Sequence, residues 1–269
     1  MSTIQAHAKV NLALVVGPVR ADGKHEVTTV LQEIDLSDRL ELEPATELAV
    51  DGFPDDTIVR RALTALAEQG GVEPLWRVTI EKRIPVAAGL GGGSSDGAGA
   101  LLLANAELSK PLPVEELHRI ACEIGADVPF FLRGGAALAT GDGTELAPVD
   151  LPRGYHVLLA LPHGKIKEST GAVYRAFDEG DGARGFEERR AALLDALSRV
   201  RDPRDLARLP RNDLASSSLG ARLEELGAFR ADVSGAGPVV YGLFDDARLV
   251  ERARDDVAAT AQTWLARPV

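Results

Sequence analysis

A glycine-serine run between a strand-like segment and a helix-forming segment is the feature that most restricts how this chain can fold. It reads Gly89-Leu90-Gly91-Gly92-Gly93-Ser94-Ser95-Asp96 and is followed by alanines and leucines up to Leu108. Glycines let backbone N–H groups converge on an anion, and the following helix contributes the positive end of its dipole. The run therefore predicts a strand–loop–helix unit that binds a polyphosphate, with a flexible surface loop as the alternative.

Two familiar nucleotide-binding motifs do not fit this run. A Walker A loop needs Gly-Lys-Ser/Thr after its glycines, and no such triplet follows them in the sequence. Ser94 stands where the third glycine of a dinucleotide-binding fingerprint belongs. P-loop and dinucleotide-binding folds are therefore disfavoured, although a phosphate site is still predicted.

Composition excludes several functional classes. The formal net charge of -11 disfavours a nucleic-acid partner, because nucleic-acid binders present a basic face. The single cysteine, Cys122, rules out a disulfide within the chain and a multi-cysteine zinc site. The sequence starts without an export-signal pattern, and no stretch approaches the roughly 20 apolar residues of a membrane span. We therefore expect a cytoplasmic protein without a membrane partner.

The chain is long enough for two fused domains. It has 269 residues, of which 45% are hydrophobic. The stretch Pro148–Arg153 is the best candidate for a boundary, which gives domains over residues 1–150 and 151–269. We expect a β-rich beginning and a smaller α+β domain at the end.

Hydrophobic periodicity and turn residues predict the individual elements. Strands are expected at the amino terminus through Leu14, in Val27–Val30, Arg39–Glu43 and Trp76–Glu81, between Gly135 and Gly141, in Tyr155–Leu161, and near Phe229 and Val239. Helices are expected from Asp55-Asp56 to Gly70, from the glycine-serine run to Leu108, from Pro113 to Gly125, and over Ser169–Phe177, Phe186–Val200, Asp213–Leu226 and Asp246–Ala259. The charge-rich stretches Asp178–Gly185 and Arg199–Arg211 are expected to be loops.

Two polar residues share one face of the first predicted strand. Alternation places Ala8, Val10 and Leu12 on one face, and Lys9 and Asn11 on the other. The two polar side chains should therefore point the same way. Alternation alone favours a Lys9 that faces solvent over one that serves a function.

The apolar segment Gly125-Ala126-Asp127-Val128-Pro129-Phe130-Phe131 contains a single carboxylate. Burial of Asp127 would be costly without a cationic or hydrogen-bonding partner, and Lys9 is the partner that we expect. The alternative is that Asp127 caps a helix that has Pro129 in its first turn. The two roles are compatible.

Six motifs, in their order along the chain, resemble those of the GHMP kinase superfamily, and within it the 4-diphosphocytidyl-2-C-methyl-D-erythritol kinases of the non-mevalonate isoprenoid pathway. They are Ala8–Leu12, Asp22–His25, Pro85 with Gly89–Ser95, Gly125–Phe131, Asn212–Leu214 and Ser234–Pro238. The resemblance covers most of the chain. It implies an α+β, two-domain GHMP kinase fold, with an N-terminal ATP-binding domain like domain 2 of ribosomal protein S5 and a ferredoxin-like C-terminal domain.

The resemblance also implies an activity. ATP, with Mg²⁺, would phosphorylate the 2-hydroxyl of the cytidine diphosphate-linked methylerythritol, giving the 2-phosphate and ADP. Asp127 would accept the hydroxyl proton, while Lys9 would orient that carboxylate and stabilise the developing alkoxide. Residues implied to bind ATP are Thr57, Pro85, Gly89, Leu90, Gly91, Gly92, Gly93, Ser94 and Ser95, and those implied to bind substrate are Asn11, Lys24, His25, Asp127 and Thr170. Ser95 is a candidate magnesium ligand, and a monomer or homodimer is expected.

Two departures from the family pattern concern the cytosine site. Lys24 stands where the family usually has tyrosine, and Pro210 stands where some members carry an aromatic residue. Together they would remove stacking of about 1–3 kcal/mol per contact. Two alternatives therefore stay open: a GHMP kinase that acts on a different alcohol, and a non-catalytic relative that binds a metabolite.

Overall fold

A computed structural model gives the fold, and it describes residues 1–53, 56–164 and 169–269. The strands are β1 (Ser2–Val19), β2 (His25–Pro44), β3 (Ala49–Asp51), β4 (Trp76–Glu81), β5 (Ala136–Thr140), β6 (Glu145–Pro148), β7 (His156–Pro162), β8 (Arg230–Val233), β9 (Val240–Phe244) and β10 (Ala261–Ala266). The helices are α1 (Ile58–Gly70), α2 (Gly92–Glu107), α3 (Val114–Ile124), α4 (Val128–Arg133), α5 (Thr170–Glu179), α6 (Phe186–Ser198), α7 (Ser218–Glu225) and α8 (Ala247–Val257), with a 3₁₀ helix at Pro203–Arg208. In the ranges described, no helix has the length and apolar character that crossing a membrane requires.

Most of the predicted elements are present, and the exceptions have local causes. The two strand-like stretches around Val27–Val30 and Arg39–Glu43 are parts of one continuous strand, β2. The three short strands β3, β6 and β10 were not predicted. Within the predicted loop Arg199–Arg211, the 3₁₀ helix forms because Asp202 caps it by accepting a hydrogen bond from the backbone of Arg204.

The helix predicted to start at Asp213 begins five residues later, at Ser218. The backbone N–H of Asp213 donates to the carbonyl oxygen of Leu14 at 2.9 Å, and its carboxylate accepts from the N–H of Val16 at 2.9 Å. These bonds hold the segment against β1. The helix therefore starts only after Ser217, whose hydroxyl caps it by accepting from Leu219.

Two compact units make up the chain. The first contains Met1–Ala8, Leu36–Val86 and Gly91–Gly134, and the second contains Lys9–Asp35, Ala87–Leu90 and Gly135–Val269. The units alternate along the sequence, whereas the sequence suggested one boundary near residue 150. Domains over 1–150 and 151–269 stay a prediction.

The first unit has a strand layer and a helical layer. The second half of β2 runs antiparallel to β4, with Leu42 opposite Val78, and β3 runs parallel to β4. The predicted strand Trp76–Glu81 is present as β4, and its residues are alternately buried and exposed. Helix α1 packs against α2. It begins where the Asp56 carboxylate accepts hydrogen bonds from two backbone N–H groups, and it ends at Gly71. Asp55, predicted beside Asp56 at this helix start, lies outside the described residues.

The second unit contains a sheet with the strand order β10-β7-β9-β8, in which all neighbours are antiparallel. Helices α7 and α8 cover it through a core that includes Leu158, Leu223 and Val250. The first half of β2 pairs with β5, and β5 pairs with β6. The turn between β8 and β9 carries the Ser234–Pro238 motif, which the sheet presents to the site described next.

Candidate active site

Lys9 is buried in β1, with 3% of its surface exposed. The expectation of a solvent-facing Lys9, drawn from alternation alone, is therefore wrong. Its ammonium donates a hydrogen bond to Oδ1 of Asn11 at 2.6 Å, so the two side chains do share a face as predicted. Burial of a charged ammonium is costly unless polar groups receive it. Lys9 is thus an integral, hydrogen-bonded residue of the second unit.

A chain of hydrogen bonds fixes the orientation of the Asn11 amide. The Thr29 hydroxyl donates to the carbonyl oxygen of Ala13 at 2.7 Å, so it can only accept from Nδ2 of Asn11, at 2.9 Å. The amide oxygen then faces Lys9. Asn11 and Thr29 are both buried, so these hydrogen bonds are shielded from water.

The Ser234–Pro238 motif lies directly against this pair. The buried Ser234 hydroxyl accepts from the backbone N–H of Asn11 at 3.3 Å and donates to the carbonyl oxygen of Gly89 at 2.9 Å. A Cβ added to Gly235 would lie 3.3 Å from Oδ1 of Asn11 and 3.6 Å from Nζ of Lys9. The Ser234–Pro238 motif therefore leaves room beside the Lys9 ammonium. Through the Ser234 hydroxyl, it also joins β1 to the beginning of the glycine-serine run.

The Asn212–Leu214 motif holds that turn in place. Nδ2 of Asn212 donates to the carbonyl oxygens of Val233 and Gly235 at 2.9 and 2.6 Å. Its backbone N–H donates to the Asp232 carboxylate at 3.0 Å. Burial raises the pKa of Asp232, an effect that the guanidinium of Arg230 opposes.

Arg230 is a buried guanidinium that supports the same turn. It donates to the carbonyl oxygens of Leu209 and Pro210 at 2.6 and 2.8 Å, and to the Tyr241 hydroxyl at 3.2 Å. The Tyr241 hydroxyl in turn donates to the carbonyl oxygen of Leu12 at 3.3 Å. Pro210 therefore supplies a carbonyl acceptor to Arg230, at the position where the family pattern suggested an aromatic ring.

The beginning of the glycine-serine run belongs to the second unit. The carbonyl oxygen of Leu90 accepts from the backbone N–H of Lys9 at 3.0 Å. Gly89 has φ +86°, and a Cβ at this position would lie 2.1 Å from the carbonyl oxygen of Ser234. Only glycine fits here, because both the backbone conformation and the close approach exclude a side chain.

The rest of the run belongs to the first unit and forms the beginning of α2, as the strand–loop–helix prediction required. Gly91, in the left-handed conformation, occupies the N-cap position and has no side chain to cap the helix. The first-turn N–H groups of Gly92–Ser94 have no acceptor within the helix. Ser94 is half-buried, and Ser95 is only 2% exposed. Phosphate binding at these groups stays a proposal.

The other two residues that the resemblance assigned to ATP also lie in the first unit. Thr57 is exposed and occupies the N-cap position of α1, although the hydrogen bonds to that helix start come from Asp56. Pro85 is half-buried and follows β4.

Asp127 is half-buried in the first unit and precedes α4, with Pro129 in the first turn. Its backbone occupies the N-cap position that the sequence suggested. In the part of the chain that the structure describes, its carboxylate makes no capping hydrogen bond to α4. The capping explanation therefore does not account for this side chain.

The predicted substrate residues Lys24 and His25 have partners in the second unit. Nε2 of His25 lies 2.8 Å from the Asp178 carboxylate, and its ring lies 4.7 Å from the ring of Tyr174, at a tilt of 35°. Lys24 forms an ion pair with Asp142. Partial burial raises the pKa of Asp142, but hydrogen bonds from Lys24 and from Thr144 outweigh this and lower it to about 2. Thr170, the remaining candidate, is exposed in the first turn of α5.

Curated relatives match the chain along nearly its whole length. A protein from Salinispora arenicola named 4-diphosphocytidyl-2-C-methyl-D-erythritol kinase is 38% identical, and the match covers 95% of this chain and 87% of the relative. A protein of the same name from Caldanaerobacter subterraneus is 34% identical over 94% of this chain and 92% of the relative. The chain belongs to the 4-diphosphocytidyl-2-C-methyl-D-erythritol kinase family.

Domain and structure comparisons agree with membership of this kinase family. Residues 57–135 match the family described as GHMP kinases N terminal domain, and residues 217–262 match GHMP kinases C terminal. A crystal structure of 4-(cytidine 5'-diphospho)-2C-methyl-D-erythritol kinase superposes with a TM-score of 0.80 at 32% identity, covering 99% of both chains. A mevalonate kinase structure superposes with a TM-score of 0.78 at 14% identity, which shows a shared fold. The predicted α+β GHMP kinase fold is confirmed.

Several residues of this family member were not singled out from the sequence. Tyr174 and Phe177 lie three positions apart on α5 and pack towards Leu14 and Val27, a helical spacing that could have suggested them. Arg230 and Thr29 carried no local signal, because the carbonyl oxygens to which they donate lie 21, 20 and 16 positions away in the sequence.

Proposed function

We propose that the chain transfers the γ-phosphoryl group of ATP to the 2-hydroxyl of 4-diphosphocytidyl-2-C-methyl-D-erythritol, giving the 2-phosphate and ADP in the non-mevalonate isoprenoid pathway. Relatives that share a third or more of its sequence carry the name of this kinase. The structural observation that carries the proposal is the buried Lys9–Asn11 pair, whose strand is hydrogen-bonded to Leu90 at the start of the glycine-serine run. Neither a solvent-facing lysine nor a loose surface loop would have this arrangement.

Phosphoryl transfer needs positioning and neutralisation of spread-out negative charge more than it needs covalent chemistry. In this proposal, Gly89–Ser95 hold the phosphates with backbone N–H groups, and Thr57 and Pro85 lie near the rest of the nucleotide. Asp127 accepts the proton of the substrate hydroxyl late in the transfer. Lys9, held by Asn11, orients that carboxylate and offsets the charge that develops on the attacking oxygen.

Mg²⁺ is proposed to accompany ATP. It usually binds through substrate phosphates and only one or two protein side chains. Among the residues described, no group of three or more His, Cys, Asp or Glu side chains could hold a metal ion. The Ser95 hydroxyl fits the role of ligand poorly because it is only 2% exposed, so we assign no step to the ion.

We propose that His25 and Tyr174 provide the flat surface against which the cytosine ring packs. Lys24 is paired with Asp142, and Pro210 carries no aromatic ring, so neither side chain supplies a stacking surface. The tilted contact between the His25 and Tyr174 rings supports the proposal, because it brings aromatic surface to a predicted substrate residue. Asn11 and Thr170 are proposed as further substrate contacts.

Three further proposals complete this picture. Residues 1–150 would form the nucleotide-binding domain, and residues 151–269 the C-terminal domain. The enzyme would act in the cytoplasm on a small molecule, with neither nucleic acid nor membrane as a partner. It would work as a monomer or as a homodimer, which sedimentation would distinguish.

A coupled ADP-release assay tests the substrate. We expect turnover with 4-diphosphocytidyl-2-C-methyl-D-erythritol and none with mevalonate or homoserine. Turnover of only one of the other alcohols would reject the substrate. No turnover with any of them, despite ATP binding, would support the non-catalytic alternative.

Replacement of the proposed base tests the mechanism. We expect Asp127→Ala to bind a non-hydrolysable ATP analogue nearly normally, while kcat falls by about 10²–10⁴-fold, the usual contribution of a positioned general base. Asp150→Ala, at an exposed aspartate, is the matched control and should keep its activity. Near-normal turnover by Asp127→Ala would remove this residue from the chemistry.

A further inference from the structure

A buried cluster of three charged side chains lies beside the start of α2. Nζ of Lys82, just after β4, donates to the carboxylates of Asp38 at 2.5 Å and Asp96 at 2.7 Å. The Lys82 side chain is 15% exposed, and the two carboxylates are 0% and 1% exposed. Charged groups this deeply buried are rare unless paired, and here one cation serves two anions.

The cluster joins three segments of the first unit. The second oxygen of Asp38, in β2, accepts from the backbone N–H groups of Arg83 and Ile84, which lead towards the glycine-serine run. Asp96 belongs to the second turn of α2. Lys82 connects the two, so it ties the residues before the run to the helix after it.

The cluster also contacts the first turn of α2. A Cβ added to Gly92 would lie 2.9 Å from Cγ2 of Ile84 and 3.4 Å from Nζ of Lys82. The cation therefore lies immediately behind the first-turn N–H groups. The free oxygen of Asp96, Oδ1, is buried and has no hydrogen-bond partner among the described residues, so Lys82 is the group that compensates this carboxylate.

We propose that Lys82 is a positioning residue for ATP: it fixes the start of α2 against Asp38 and offsets the negative charge of Asp96 behind the glycine-serine run. Without this cation, two buried carboxylates would repel each other, and Asp96 would oppose the binding of a polyphosphate at the helix start. The inference rests on the proposed function, because it assumes that the run holds the phosphates of ATP.

The test compares Lys82→Met with a neighbouring control. Arg83→Met removes an exposed side chain paired only with Glu81 in the described structure, and it leaves the backbone bonds to Asp38 intact. At pH 8, we expect Lys82→Met to raise the Kd for a non-hydrolysable ATP analogue, and the KM for ATP, at least 10-fold. The KM for the alcohol and the kcat at saturating ATP should change less than 3-fold, and Arg83→Met should resemble the wild type.

A double variant separates charge compensation from a general structural role. Lys82→Met/Asp96→Asn removes one cation and one anion together, so it should recover most of the lost ATP affinity. Unchanged ATP affinity in folded Lys82→Met would overturn the inference, as would a loss that the double variant does not recover. Failure of the wild type to bind the analogue would instead reject the proposed function.

If Lys82→Met does not fold, Asp96→Asn alone tests the same idea. This variant keeps Lys82 paired with Asp38 and removes the charge behind the run. At pH 8 we expect its Kd for the ATP analogue to fall at least 3-fold. An unchanged or higher Kd would contradict the inference.

Discussion

The substitution Gly89→Ala should damage the site in a way that the structure makes calculable. The added Cβ would lie 2.1 Å from the carbonyl oxygen of Ser234, whereas real contacts essentially never fall below 3.0 Å. One of the two segments must therefore move by about 1 Å. The Ser234 carbonyl is backbone and already accepts from the N–H of Gly237 at 2.9 Å, so it cannot rotate aside as a side chain could.

The substitution has two costs, one from the backbone conformation and one from the movement. An alanine at φ +86° costs about 1–2 kcal/mol in stability, because its Cβ is crowded in the left-handed region. The shift also strains the hydrogen bonds of the Ser234 hydroxyl to Asn11 and Gly89. Since a misplacement of about 1 Å can cost about 10²-fold in rate, we expect kcat/KM to fall about 100-fold.

Gly135→Ala is the matched control for this experiment. Gly135 has φ +75°, but a Cβ there would meet nothing within 4 Å. Both variants should lose the stability that an alanine at positive φ costs, Gly89→Ala should lose more in urea unfolding because of its contact with Ser234, and only Gly89→Ala should lose activity in the ADP-release assay. Equal kcat/KM values for the two variants would refute the argument that the Gly89–Ser234 contact positions the site.

Two further outcomes are expected. Tyr174→Leu should raise the KM for the cytidine substrate about 5- to 150-fold, equivalent to about 1–3 kcal/mol of lost stacking, and leave the KM for ATP unchanged. Equal effects on both KM values would argue against a base-packing role. Burial raises the pKa of Asp96 from 3.8 to about 7, so the fold favours the protonated carboxyl. The stability that this proton contributes is complete below about pH 4 and is lost as pH rises through 7. The difference in unfolding free energy between Asp96→Asn and wild type should therefore shift by about 3 kcal/mol in favour of the variant between pH 4.5 and pH 8 in urea titrations. A difference that stays constant with pH would contradict this.

Local elements could be predicted from the sequence because their determinants lie within a few residues. Asp56 and Gly71 start and end α1, and both signals lie at the ends of the helix itself. The strand predicted over Trp76–Glu81 is likewise present with those bounds, as β4. The start of α7 could not be predicted in this way, because Asp213 is held by β1, about 200 residues earlier.

The surroundings of Lys9 show the same limit for the site. Alternation correctly predicted that Lys9 and Asn11 share a face, but it contains no information about what covers that face. Gly235 lies beside both side chains, and the preceding residue, Ser234, accepts from the backbone N–H of Asn11, 223 positions earlier in the sequence. Motif order along the chain supplied the missing information, because motifs that occur together in one family are expected to meet in its fold.

The Lys24 side chain has a partner in the structure, whereas nothing in the structure explains the proline at position 210. Each was noticed because an aromatic ring was expected, and each has instead a polar partner: Asp142 for the Lys24 ammonium and Arg230 for the Pro210 carbonyl. The ion pair engages the Lys24 side chain, whereas the Pro210 carbonyl is a backbone group that any residue would supply, so it does not account for the loss of a ring there. Aromatic surface is present on α5, where Tyr174 packs against His25. Under the proposed function, the cytosine ring would pack on this surface of α5 and His25 rather than on residues 24 and 210.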